Sequence, residues 1–93
     1  MPVFFLHILS GDELTPDEEG MEFADLAAAR EEAIRGARGL MAAEVETGCL
    51  RLDQSILIDD ADGNRVAEVA FGEALRIQWS EIAAQGASAP EGG

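Results

Sequence analysis

From Asp25 to Glu46 the apolar and polar side chains recur at helical spacing. On a wheel of about 100° per residue, Leu26, Ala29, Ala33, Ala37, Leu40 and Met41 gather on one side, and Glu31, Arg35, Arg38 and Glu46 on the other. No other stretch carries a helical pattern of this length. Asp25 offers a side-chain acceptor at the N-cap, and Thr47-Gly48 marks the stop. Glu31 and Arg35 are spaced as an i,i+4 ion pair on the solvent side. Gly36 and Gly39 each cost a helix about 1 kcal/mol relative to alanine. Such a helix depends on tertiary packing, and its small residues suit a close approach to a sheet.

The flanking segments read as strands. Val3 to Leu9, VFFLHIL, is apolar on both faces apart from His7, the pattern of a strand at the centre of a sheet. Ser10-Gly11-Asp12 is a turn signal, and Leu14-Thr15 begins a return that Pro16 stops or confines to an edge. The acidic loop Asp17-Glu18-Glu19-Gly20 leads to Met21-Glu22-Phe23, read as the second strand. Beyond the helix, Asp62-Gly63 signals a hairpin between Ser55–Asp60 and Arg65–Phe71. A two- or four-residue loop sets Asp60 opposite Arg65, Ile58 opposite Ala67 and Ile56 opposite Val69, with one apolar face. A three-residue loop would set Ile56 opposite Glu68 and mix the faces, so the first register is expected. Leu75, Trp79 and Ile82 then fall at helical spacing, predicting a short amphipathic helix from Glu73 to about Ala83. The expected fold is an α+β two-layer domain, β-β-α-β-β. Its mostly antiparallel sheet carries the long helix on one face, over residues 1–84, and residues 85–93 form a floppy tail.

Composition changes this picture through charge. The 93 residues include 19 acidic and 6 basic side chains, a net charge of −13. That field repels phosphate backbones and anionic membrane surfaces, which argues against nucleic-acid or membrane binding and leaves basic proteins and cations as attracted species. No apolar run approaches the roughly 18 residues of a membrane span. The lone Cys49 has no partner for an internal disulfide, which fits a reducing compartment and a cytoplasmic location.

Candidate chemistry is sparse. His7 is the only histidine, and on a sheet face its nitrogens are expected to be satisfied by the acidic loop or a backbone carbonyl; an acid–base or ligand role is the alternative. Arg30 sits at about 40° on the wheel, intruding on the apolar side. From there it is expected to reach the domain edge and pin the loop through Asp17, Glu18 or Glu19. Asp60-x-Asp62-x-Asn64 imitates the start of a calcium loop, but Arg65 occupies the glycine position and Phe71 that of the bidentate glutamate. Neither a metal site nor a cofactor is therefore expected. Cys49 has only Arg51 nearby as a positive charge and does not read as a nucleophile.

Phe4 to Ile8, then Gly11-Asp12, then DEEGMEFADL from Asp17 to Leu26, then Ala29, Ala33 and Ala37-Arg38, together resemble an uncharacterised family of short bacterial proteins, a domain of unknown function. Members open with aromatic-aromatic-x-His-Ile and continue through Asp-x-x-Gly-x-x-x-x-Asp, an alanine-rich helix and a terminal hairpin. The resemblance covers roughly residues 3 to 77. It implies a compact α+β fold and a cytoplasmic bacterial protein, and it carries no activity. The function expected is a non-catalytic interaction module, self-associating or acting as an acidic adaptor, with Leu75, Trp79 and Ile82 as candidate interface and His7, Arg30, Asp17 and Glu19 as structural polar residues. The alternative is a small-ligand or metal-dependent enzyme centred on His7 and the acidic loop. A pocket joining His7, Arg30 and Asp17 would favour the enzyme.

Overall fold

A computed structural model describes residues 1–78. In chain order the elements are β1 (Val3–Ser10), β2 (Glu13–Thr15), β3 (Met21–Glu22), α1 (Leu26–Glu46), β4 (Gln54–Asp60), β5 (Arg65–Ala70) and a 3-10 turn at Phe71–Glu73. The strands form one antiparallel sheet in the order β2-β1-β4-β5, with β3 also paired to β1. This is an α+β fold of two layers. β1 lies inside the sheet, as its two-sided apolar pattern predicts. One expectation is corrected here: the return from β1 is two short strands rather than one, separated by the loop over residues 16–20.

The helix covers a single face. Phe4, Ile56, Ile58 and Val69 are buried against Ala29, Ala33, Ala37 and Met41, with Phe71 and Ala74 closing one side. Leu6 and Ile8 border the same cluster, so the even-numbered residues of β1 point at α1. Side chains alternate along a strand, which places Val3, Phe5, His7 and Leu9 on the opposite face. Three alanines in the contact let the helix axis sit close to the sheet. Asp25 caps α1 with its side chain, accepting from the Ala28 N–H at 2.9 Å. Gly48, at φ +90°, ends it by entering the left-handed region that a residue with a Cβ avoids. Arg35 pairs with Glu32 at 3.2 Å, not with Glu31, so the expected i,i+4 pair is replaced by an i,i+3 one.

The hairpin tip departs from the expected loop. Ile56 faces Val69 and Ile58 faces Ala67, the register that keeps one face apolar. Beyond Ile58 the register shifts, so that Asp59, not Asp60, faces Arg65. The Asp60 N–H donates to the Asn64 carbonyl at 2.9 Å, leaving three residues in the loop, with Gly63 at φ +85°. A three-residue loop does give the wrong register at the tip, and a bulge at Val66 corrects it before the core begins.

At the C-terminal side, Phe71–Glu73 forms a 3-10 turn and the chain from Ala74 to Gln78 is not helical, which corrects the first half of the predicted helix. Leu75 is half-buried and packs on the core. Trp79, Ile82, the proposed boundary at residue 84 and the tail at 85–93 lie outside the described residues.

Candidate functional site

The face of the sheet away from α1 carries a chain of hydrogen bonds that crosses it from edge to edge. It starts in the loop between β2 and β3. Pro16 ends β2, and the next residue turns its carboxylate back onto the main chain. One oxygen of Asp17, Oδ2, accepts from the Leu6 N–H at 3.1 Å, on the edge of β1 where no strand residue pairs. The other, Oδ1, accepts from the Gly20 N–H at 3.1 Å and the Glu19 N–H at 3.3 Å. The aspartate side chain thus substitutes for a missing rung of the ladder. Gly20 is required for two reasons: its φ is +72°, and a Cβ there would lie 2.8 Å from Phe5 Cε2 and 2.9 Å from Val3 Cγ1.

The same loop meets His7. The Asp17 N–H donates to His7 Nδ1 at 3.0 Å, while His7 Nε2 lies 3.2 Å from Asp59 Oδ2 on β4. A backbone N–H can only donate, so Nδ1 is the lone-pair nitrogen and the proton sits on Nε2, directed at Asp59. The contact with Asp59 is accordingly a hydrogen bond from a neutral imidazole. Asp59 Oδ1 in turn accepts from Arg65 Nε on β5 at 2.7 Å. His7 and Asp59 are mostly buried and Arg65 is half-exposed. Phe5 stacks beside the imidazole, ring centroids 6.4 Å apart and planes 11° from parallel.

Electrostatics follow the hydrogen bonds. The Arg65 guanidinium, aided by His7, outweighs the cost of burial and holds the Asp59 carboxyl below the usual carboxylate range. For Asp17 burial opposes ionisation, but the N–H groups of Leu6, Gly20 and Glu19 together outweigh it, and its carboxyl is also lowered.

The structure therefore brings His7 and Asp17 together and adds Asp59 and Arg65, which the sequence pattern did not single out. Asp59 was hidden by the one-residue shift at the hairpin tip, which moves Arg65 from Asp60 to Asp59. Arg30 does not join them: it is exposed on α1, and the ion pairs among the described residues do not include it, so the expected clamp on the acidic loop is replaced by Asp17 itself. The Glu19 side chain is exposed, and only its N–H takes part. Two open concavities lie elsewhere, one of about 460 Å³ at Ser10, Gly11, Arg51, Leu52 and Asp53, the other of about 370 Å³ along α1 at Glu31, Ile34, Arg35 and Arg38. Among the described residues, no three His, Cys, Asp or Glu side chains are grouped to hold a metal ion, and no helix is long and apolar enough to cross a membrane.

A small two-layer α+β domain with a histidine-centred polar chain across its open sheet face is the class that these features define. Residues 3–72 match the family model described as Domain of unknown function (DUF6894), and the chain belongs to that family. The match ends near the 3-10 turn, short of the residue 77 reached by the sequence resemblance. No curated protein and no solved structure matches the chain.

Proposed function

We propose that this chain is a non-catalytic, acidic protein-interaction domain. One observation supports this above others: the only imidazole in the chain has both nitrogens engaged, Nδ1 by a backbone N–H and Nε2 by a carboxylate. A general base or metal ligand needs one of those nitrogens free. Asp17 and Asp59 are likewise occupied by backbone N–H groups and a guanidinium. The enzyme alternative centred on His7 and the acidic loop draws no support from this arrangement. A basic protein partner fits the charge, and a bacterial, cytoplasmic setting fits the lone exposed Cys49 and the resemblance in residues 3–77.

The test is affinity capture with the full chain from cells that express it, followed by reconstitution with the purified partner. A saturable complex that weakens with added salt is expected. Conversion of a cell metabolite by the wild-type chain, lost in His7→Ala, would overturn the reading.

A further inference from the structure

We propose that the outer edge of β5 is a docking site for an extended segment of a partner protein, one that adds a strand to the sheet and sets a lysine or arginine opposite Glu68. The inference rests on the interaction reading above and names its surface. The register settles which main-chain groups of β5 point outward. The Asp60 N–H donates toward β5, to the Asn64 carbonyl. Direction alternates along a strand, so Ile58 and Ile56 also turn their N–H and C=O groups to β5, and their partners Ala67 and Val69 turn back to them. Glu68 is left with both its N–H and C=O directed away from β4, and Ala70 with its N–H. The same phase, carried across β4, turns the Leu6 N–H away from that strand, where Asp17 accepts it. On that side of the sheet β2, β3 and Asp17 take up the spare groups of β1. On the other side β5 pairs with β4 alone, and no described residue bonds these groups of Glu68 and Ala70. An edge with unpaired main-chain groups is a template for a further strand.

Charge and register select the occupant. Glu68 is exposed in the middle of this stretch, on the sheet face away from α1 that it shares with Leu57 and His7. Arg65, on the same face, is held by Asp59. Of the other arginines, Arg30, Arg35 and Arg38 belong to α1 and Arg51 reaches Ser10. Arg76 follows the 3-10 turn, where Glu73 is exposed as well. The chain as a whole carries −13, so a second copy would bring −13 against −13, whereas a cationic segment is drawn in. Opposite charges facing each other across neighbouring strands stabilise the pairing, which places a lysine or arginine opposite Glu68. On the α1 side Ala67 is half-buried and Val69 buried, so the alternate residues of the added strand are apolar. The bulge at Val66 bends the start of β5 and confines the pairing to its last residues, which suits a short segment.

The probe is a short peptide alternating lysine and valine, titrated into the isotope-labelled full chain and followed by backbone amide shifts and hydrogen exchange. The control is the same peptide with prolines in place of alternate valines, which keeps the charge and cannot pair as a strand. The proposal expects saturable one-to-one binding, with downfield shifts and slowed exchange at the Glu68 and Ala70 N–H groups. The Ala67 and Val69 N–H groups, which face β4, should change little. Ala70 has φ −72°, a value proline shares, so Ala70→Pro removes an outward N–H without straining the strand. That variant and Glu68→Gln should each melt as the parent does and bind the lysine–valine peptide about tenfold more weakly. Equal binding of the proline control, shifts centred elsewhere, or no binding would overturn the proposal. So would Glu68 and Ala70 amides already protected in the free chain: in a dimer by sedimentation the edge serves a second copy, and in a monomer the chain covers its own edge. If a partner captured from cells binds but leaves these two amides unprotected, the interaction reading survives and this surface is wrong.

Discussion

His7 ties its own strand β1 to the Asp17 loop and to β4 through two nitrogens, and Asp59 carries the link on to Arg65 of β5. Removing it strands an Asp17 N–H on one side and an Asp59 oxygen on the other, both partly shielded from water. His7→Ala should therefore cost about 1–3 kcal/mol, the range for leaving such groups unsatisfied, and should speed amide exchange at Leu6 and Gly20 as the loop loosens. Chemical denaturation and hydrogen exchange measure the two effects. The carboxylates give a pH prediction. Asp17 and Asp59 have folded pKa values below their unfolded ones, so their contribution is fully present above the ordinary carboxylate value of about 3.9. It is lost as pH falls through that value toward the folded pKa. Acidification also relieves the self-repulsion of a chain with a net charge of −13, which pulls the other way. The informative quantity is thus a difference: between pH 5 and pH 3, the stability of the parent should fall more steeply than that of Asp17→Asn. Parallel curves would show that Asp17 is not held ionised by the fold.

At the scale of elements, two glycines separate necessity from tolerance. Gly20 combines positive φ with a neighbour that leaves no room, so Gly20→Ala should destabilise by about 2 kcal/mol. Gly39 lies inside α1, and a methyl group there would meet nothing within 4 Å, so Gly39→Ala should do the reverse and stabilise by about 0.5–1 kcal/mol. Thermal melts of the two variants check both signs. The contrast also shows what was legible in the sequence. α1, its cap at Asp25 and its alanine face follow from a period of 3.6 that needs no knowledge of partners. The core register of the hairpin follows from its apolar alternation. The tip was hidden because a bulge at Val66 lets a three-residue loop coexist with that register, and alternation does not encode the extra residue. Arg30 was misplaced because a wheel gives an angle, not the width of the contact; alanines pack a narrow strip, and Arg30 falls beyond it. The role of Asp17 had a signal, Pro16 before it and Gly20 three residues after, the composition of a side-chain-stabilised turn.

Across the whole molecule, one layer is a helix bearing three arginines, and the other is a sheet whose first three strands and loop bear acids but no lysine or arginine. The hydrogen bonds from the Asp17 loop through His7 and Asp59 to Arg65 tie the acidic edge of that sheet to its opposite edge. They fix the loop against β1. The central claim is that His7 is a structural crosspiece with no free nitrogen. Nitrogen-15 NMR of the imidazole in the full chain tests it most directly. A single tautomer is predicted, with the proton on Nε2, Nδ1 shifted as a hydrogen-bond acceptor, and the Nε2 proton slow to exchange. A proton on Nδ1, or a ring averaging freely between tautomers, would contradict the account.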